Sequence, residues 1–162
     1  MNKLDIINLK ILSGKHLEQM LAYWRFKNFS LVFTNGCFDI MHRGHVDYLA
    51  RASELGDVLI VGLNTDRSVR AIKGPPRPLQ DEASRSILLA SLSFVSAVIL
   101  FDQETPVELL RYIKPDILVK GNDYKPDEVV GGEIVIEQGG KVMTLEIMEG
   151  YSTTRIVQKS SG

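Results

Sequence analysis

Five short, apolar, β-rich runs separated by stretches of helical character constrain the fold of this chain more than any other feature. They are LVFTN (31–35), DVLIVGL (57–63), SAVILF (96–101), DILVKG (116–121) and KVMTLE (141–146). None shows the two-residue alternation of a sheet with one wet face, so each is expected to be buried on both faces. Between them lie HVDYLARASELG, TDRSVRAI, DEASRSILLASL, TPVELLRYIK and DEVVGGEIVIEQGG. Several open on Asp, Thr or Ser and close near Gly or Lys, as capped helices do. The last is the weakest helix, because Gly131 and Gly132 each cost about 1 kcal/mol of helix propensity. This alternation predicts an α/β domain, a Rossmann-like, doubly wound sheet of five parallel strands with right-handed crossovers.

At 162 residues the chain has the size of one domain around one core. Ahead of the first strand, residues 15–28 carry Leu17, Met20, Leu21 and Trp24 at helical spacing. That stripe is expected to cover a sheet edge or to meet a partner subunit in a homodimer. The chain therefore divides into an N-terminal extension, 1–28, and a main domain, 29–162, whose final KSSG reads as a frayed tail. A formal net charge of −1 provides no global basic field, so nucleic acid is not an expected partner and any anion must be met by a local pocket. The single cysteine, Cys37, excludes an intramolecular disulfide and a cysteine-rich zinc cage, as suits a reducing compartment. No secretory-type start and no run of about 20 apolar residues are found, so we expect no membrane partner and a cytoplasmic location.

Doubly wound sheets bind ligands beyond the carboxyl ends of their strands, which directs attention to the turns. The first, FTNGCFDIMHRGHVDYL (33–49), joins a glycine that lets backbone approach a ligand to a helix start with unsatisfied N–H groups. It lacks the Gly-Lys-Ser/Thr ending of a Walker loop and the G-x-G-x-x-G of dinucleotide binders. His42 and His45 stand three apart, on one helix face, with Gly44 leaving room between them. Two imidazoles so placed can be metal ligands, an acid and base, anion donors or plain surface groups. Zinc would need further ligands, and the one other histidine, His16, sits in the N-terminal helix. Donors preorganised around charge developing on a phosphate fit the glycine and the helix start best, each worth about 3–4 kcal/mol in such a role.

The other turns offer further polar groups, each with a structural alternative. Lys73 and Arg77, with Arg70, fall in a glycine- and proline-stiffened loop that would otherwise be solvated basic surface. Asn64 precedes it, and Asp66 is also suited to cap the next helix. VKGNDY supplies Lys120, Gly121, Asp123 and Tyr124, where Asp123 is equally suited to forming the turn. In EGYSTTRIV, Ser152, Thr153 and Thr154 open a last helix, and three hydroxyls exceed what one cap needs.

TNGCFDIMHRGH resembles the T-x-G-x-F-D-x-x-H-x-G-H signature of the HxGH nucleotidyltransferase superfamily, whose small members transfer a nucleoside monophosphate from ATP or CTP to a phosphorylated acceptor. Together with KILS, GPPRP, VKGNDY and EGYSTT it is most similar to the stand-alone heptose 1-phosphate adenylyltransferase branch, the ADP-heptose synthases with a cytidylyltransferase-like domain. The likeness runs from residue 10 to about 157. It implies that His42, His45 and Lys73 are catalytic, and that Thr34, Asn35, Gly36, Phe38, Gly44, Lys120, Gly121, Asp123 and Ser152 to Thr154 bind nucleotide along with the two histidines. Asn64, Asp66, Lys73 and Arg77 would meet the acceptor. The implied small molecules are ATP, accompanied by Mg²⁺, and a sugar 1-phosphate, with no metal-ligating set in the protein itself. Glycerol-3-phosphate cytidylyltransferases usually place an arginine three residues before the glycine of the Ser-Thr-Thr motif, and this chain has Ile147 there. A family Glu-Arg pair is altered here to Ala83-Ser84-Arg85, leaving Arg85 divided between the site and solvent. A cytidylyltransferase of polyol phosphates and a non-catalytic nucleotide-binding module remain the alternative readings.

Overall fold

The carboxyl halves of two neighbouring strands part company, and the rest of the architecture surrounds that opening. In the computed structural model, which describes residues 1–161, the elements run α1 (Lys3–Asn8), α2 (Gly14–Phe26), β1 (Leu31–Gly36), α3 (Arg43–Ser53), β2 (Val58–Asn64), α4 (Asp66–Lys73) and α5 (Glu82–Ser91). They continue with β3 (Ala97–Phe101), α6 (Val107–Ile113), β4 (Ile117–Gly121), a 3₁₀ turn (Pro126–Glu128), α7 (Gly132–Glu137), β5 (Lys141–Leu145) and α8 (Thr153–Ser160). The five strands form one parallel sheet in the order β3-β2-β1-β4-β5. This is the doubly wound α/β sheet expected from the strand–helix alternation, and its order reverses between β1 and β4.

β1 pairs with β2 along its whole length, from Leu31–Val58 to Gly36–Leu63. With β4 it pairs only at Val32–Ile117 and Phe33–Leu118. Beyond those residues the ladder between β1 and β4 stops, and their carboxyl ends frame a crevice.

Strands β1 to β4 are apolar on both sides because each side has its own helical layer, whereas β5, at the sheet edge, has no buried residue and opens on exposed Lys141, contrary to the expectation for that run. Phe33, Ile60, Ile99 and Leu118 meet Leu17, Leu21 and Trp24 of α2, Leu110 and Ile113 of α6 and Val135 of α7. Val32, Leu59, Val61, Leu63 and Val119 meet Leu49 and Ala52 of α3 and Leu89 and Ala90 of α5. Burying a side chain of this size contributes about 1.5–3 kcal/mol, which explains why the strands read as unbroken apolar runs.

Residues 1–28 share this core. Trp24 is 5% exposed and sits among the strand side chains rather than at an edge alone. The edge is met by the segment just before α2: Leu12 N–H donates to the Val98 carbonyl at 2.9 Å and Val98 N–H to the Lys10 carbonyl at 2.8 Å. Helix α1, not expected from the sequence, is only six residues long and is closed by a capping box in which Asn2 and Asp5 each bind the other's backbone N–H. The stretch read as one helix over 127–140 is broken, because Gly131 takes φ +85° as the N-cap of α7. Lys159 and Ser160, expected in a frayed tail, complete α8, whereas Gly162 lies outside the described residues. Among the described residues no helix is long and apolar enough to cross a membrane.

Trp24 is the only tryptophan. Its fluorescence should therefore be lost in urea at the same midpoint as far-UV circular dichroism, since its burial belongs to the sheet core. A separate, earlier fluorescence transition would show that α2 folds apart from the sheet.

Candidate active site

The crevice at the carboxyl ends of β1 and β4 is a cavity of about 490 Å³. The turn after β1 provides Asn35, Gly36, Phe38 and Asp39, and α3 provides His42, Gly44, His45 and Tyr48. Lys73 reaches in from the end of α4, and Lys120, Gly121, Asp123 and Tyr124 line it from β4 and the turn beyond. Ile147, Tyr151, Ser152, Thr153 and Thr154 close the remaining side.

The first turn is shaped by close contacts. A Cβ at Gly36 would lie 3.0 Å from the Phe38 ring. Phe38 itself has φ +44°, unusual for a bulky residue, and the strain is balanced by burial of its ring, which packs edge-on to His45 at 5.1 Å between centroids. His42 is the extended N-cap of α3, and its Nδ1 accepts from the His45 backbone N–H at 3.3 Å. An accepting Nδ1 leaves the ring proton of neutral His42 on Nε2. The two imidazoles stack at 3.8 Å with 19° between planes.

Two helix starts meet here. Ser152 caps α8 by accepting from Arg155 N–H at 3.2 Å, so Thr153 and Thr154 begin that helix at the cavity wall. A Cβ at Gly44 would lie 3.1 Å both from the His42 ring and from Tyr151 Cβ, so the junctions at 42–45 and 151–154 are in direct contact. Their partial positive ends, together with two lysines, make an anion site. Across the gap left by the β1–β4 ladder, Lys120 Nζ donates to the Asn35 carbonyl at 3.1 Å.

Burial dominates the ionisation of these groups. It lowers the pKa of His42, and it takes His45 to about 4 with help from the charges of His42 and Lys73. Burial brings Lys120 to about 8, against the opposing pull of Asp123 and Cys37. The Cys37 thiol is pushed up by burial, outweighing nearby Lys73 and Arg85. Asn35 Oδ1 is buried without a hydrogen-bond partner, while the His45 ring has the Ile40 backbone to bond to, which opposes part of its downward shift.

Of the residues singled out in the sequence, Asn35, Gly36, Phe38, His42, Gly44, His45, Lys73, Lys120, Gly121, Asp123 and Ser152 to Thr154 are gathered around this cavity. Thr34 lies behind it, 1% exposed, with Oγ1 bonded to the Tyr48 hydroxyl at 2.9 Å. Asn64 is buried and donates to Ser68 Oγ at 2.8 Å. Asp66 pairs with Arg85 at 2.7 Å, and the cap of α4 is made by Thr65, not Asp66. Arg77 Nε binds Asp39 at 2.6 Å, while Arg77 Nη2 is buried without a partner. Arg85, placed between the site and solvent, is fully buried and faces neither. Tyr48 went unnoticed in the sequence, although it continues the three-residue spacing of His42 and His45; Tyr151, beside the Ser-Thr-Thr run, left no comparable signal.

A larger cleft of about 750 Å³ lies at the other end of the sheet, lined by Arg25, Lys114, Asp116 and Lys141. The carboxyl ends of α2 and α6 point there, and Arg25 donates to the Ile113 carbonyl. Arg25 thus answers a helix carbonyl, and the helix ends facing the cleft carry partial negative charge, so it is the poorer anion site.

Imidazole NMR should find His45 uncharged in the free protein until pH approaches 4. The unfolded imidazole takes its proton near 6.5, so stability is complete above about 6.5 and falls toward pH 4, by on the order of 3 kcal/mol. An ordinary His45 titration near 6.5 would contradict this.

Comparison with known proteins gives the family. Residues 33–159 match the family model described as cytidylyltransferase-like. The bifunctional protein HldE of Magnetococcus marinus is 50% identical over 152 residues, covering 94% of this chain and 31% of that protein. HldE of Caulobacter vibrioides is 47% identical over 151 residues, covering 93% and 31%. The chain thus spans about a third of the length of these curated relatives. The crystal structure of the lipopolysaccharide core biosynthesis protein from Thermoplasma volcanium GSS1 superposes with a TM-score of 0.62 at 33% identity, covering 76% of this chain and 99% of that one. With the matched segment running from the first strand into the last helix, the chain belongs to the cytidylyltransferase-like family.

Proposed function

We propose that the chain is a nucleotidyltransferase that moves AMP from ATP to a heptose 1-phosphate, giving ADP-heptose and pyrophosphate for lipopolysaccharide or surface-glycan synthesis. The observation that carries the reading is the meeting of two helix starts, 42–45 and 151–154, over a cavity that also holds Lys73 and Lys120. Likeness to HldE and to a lipopolysaccharide core biosynthesis protein supports the sugar-phosphate acceptor.

A phosphate oxygen of the acceptor attacks the α-phosphorus of ATP, the bond from that phosphorus to the bridging oxygen breaks, and pyrophosphate leaves with the electron pair. No general base is needed, because a phosphate monoester with a second pKa of about 6 is already ionised at neutral pH. No covalent intermediate is needed either, so catalysis is positioning and charge stabilisation. His42 presents its Nε2–H, and His45 a buried ring, to the α- and β-phosphates. Lys73 and Lys120 gather the charge of nucleotide and acceptor. The start of α8, Ser152 to Thr154, holds the leaving pyrophosphate. Asn64, Asp66 and Arg77 then serve the acceptor side through the backbone and side chains they hold in place. Among the described residues no group of three or more His, Cys, Asp or Glu could hold a metal ion. Mg²⁺ would arrive with the nucleotide and neutralise part of the triphosphate charge.

Ile147 packs against Gly121, where a Cβ would lie 2.5 Å from Ile147 Cδ1. An apolar side chain there, in place of the arginine usual in the glycerol-phosphate branch, favours ATP over CTP in our reading.

Mixing the protein with ATP, Mg²⁺ and heptose 1-phosphate should release pyrophosphate, and CTP with glycerol 3-phosphate should release much less. Nucleotide binding without pyrophosphate release would identify a binding module instead. His42→Ala should lower kcat at least about tenfold while nucleotide affinity changes less, because a donor specific to the transition state acts on kcat. An unchanged kcat would remove His42 from that role.

A further inference from the structure

Asp39 contacts the cavity wall but has no free oxygen to offer a ligand. Its side chain is 1% exposed, and its hydrogen bonds all run to one segment, residues 74–80. Oδ2 accepts from Arg77 Nε at 2.6 Å, and Oδ1 accepts from the backbone N–H groups of Leu79 at 2.8 Å and Gln80 at 3.0 Å. The other edge of that backbone is held as well. The Gln80 carbonyl accepts from Arg85 Nε at 3.0 Å, while Arg85 Nη1 donates to the Cys37 carbonyl at 2.7 Å. The turn after β1 and the 74–80 strap are therefore joined twice, by the carboxylate of one and through the guanidinium of α5.

Little else holds the strap. It has no regular secondary structure, Pro75, Pro76 and Leu79 are exposed, and apolar burial contributes little. Its first residue, Gly74, leaves α4 at φ +95° and accepts a turn hydrogen bond from Arg77 N–H at 3.1 Å. Immediately before Gly74 stands Lys73, itself exposed, so its place over the cavity comes from the backbone that carries it. Asp39 lies three residues before His42. One carboxylate thus links the histidine junction to the chain segment that directly follows the lysine at the end of α4.

We propose that Asp39 is a positioning residue, which acts through the 74–80 strap to hold Lys73 at the cavity that His42 and His45 also line. This rests on the nucleotidyl-transfer reading for its effect on rate, but the strap itself can be tested without turnover.

A double-mutant cycle on pyrophosphate release decides the effect on rate. Asp39→Asn should lower kcat/KM about tenfold in the native chain and less than about twofold in a Lys73→Ala background, since a residue acting through Lys73 has nothing left to position. A purely structural role gives the same factor in both backgrounds and would overturn the proposal. The second arm uses the free protein: Arg77→Gln should speed tryptic cleavage after Lys73 about tenfold with the urea midpoint unchanged, because cleavage follows the open population of the strap. Unchanged cleavage overturns the proposal, and this arm also decides if Asp39→Asn does not fold. Absence of pyrophosphate release from the native chain would refute the transfer reading and leave the strap to the proteolysis result.

Discussion

The ladder between β1 and β4 ends at Phe33 and Leu118, and the candidate site of this molecule is organised around that interruption. A continuous ladder would have satisfied the Asn35 carbonyl with backbone from β4. Instead the carbonyl accepts from the Lys120 ammonium, which is drawn into the sheet end and largely cut off from water. The chirality of parallel crossovers does the rest. Each strand must be followed by a segment that leaves from its carboxyl end, so α3, the α4 strap, the β4 turn and the approach to α8 all gather over the same gap.

The ionisation of the groups around the gap follows from their partial burial. His42, His45 and Lys120 all have their cationic forms disfavoured by burial, and two stacked imidazoles at 3.8 Å resist charging together. In the free site at neutral pH the histidines are thus uncharged, while Lys120, with its pKa at about 8, keeps most of its charge. A polyanion entering it favours the charged forms of the same groups, so binding and protonation are linked with a common sign. The ledge formed by the two helix starts differs, because backbone dipoles carry no proton and stay positive at every pH.

Much of this was legible in the sequence, and what was not has identifiable reasons. The strands were readable to within a residue or so because parallel strands covered on both faces leave unbroken apolar runs such as LVFTN and DVLIVGL. The junctions at His42 and Ser152 were readable because caps and glycines are local signals. The work of Asp39 and Arg85 was not readable, since all but one of their partners lie 19 to 48 residues away, several of them backbone groups that carry no residue-type signal. Asn64 and the Nε of Arg77 also look available in the sequence, yet in the fold they are held by Ser68 Oγ and the Asp39 carboxylate. Helix α1 escaped notice because a six-residue helix has too few turns to show periodicity, and its capping box was the one signal present.

The central claim is that two junctions more than a hundred residues apart form one triphosphate site. Amide chemical shifts recorded while a non-hydrolysable ATP analogue and Mg²⁺ are titrated in test it most directly. The account predicts that residues 36–45 and 152–155 move together and saturate with one Kd. Shifts confined to one junction, or centred on Arg25, Lys114 and Lys141 at the opposite end of the sheet, would contradict it.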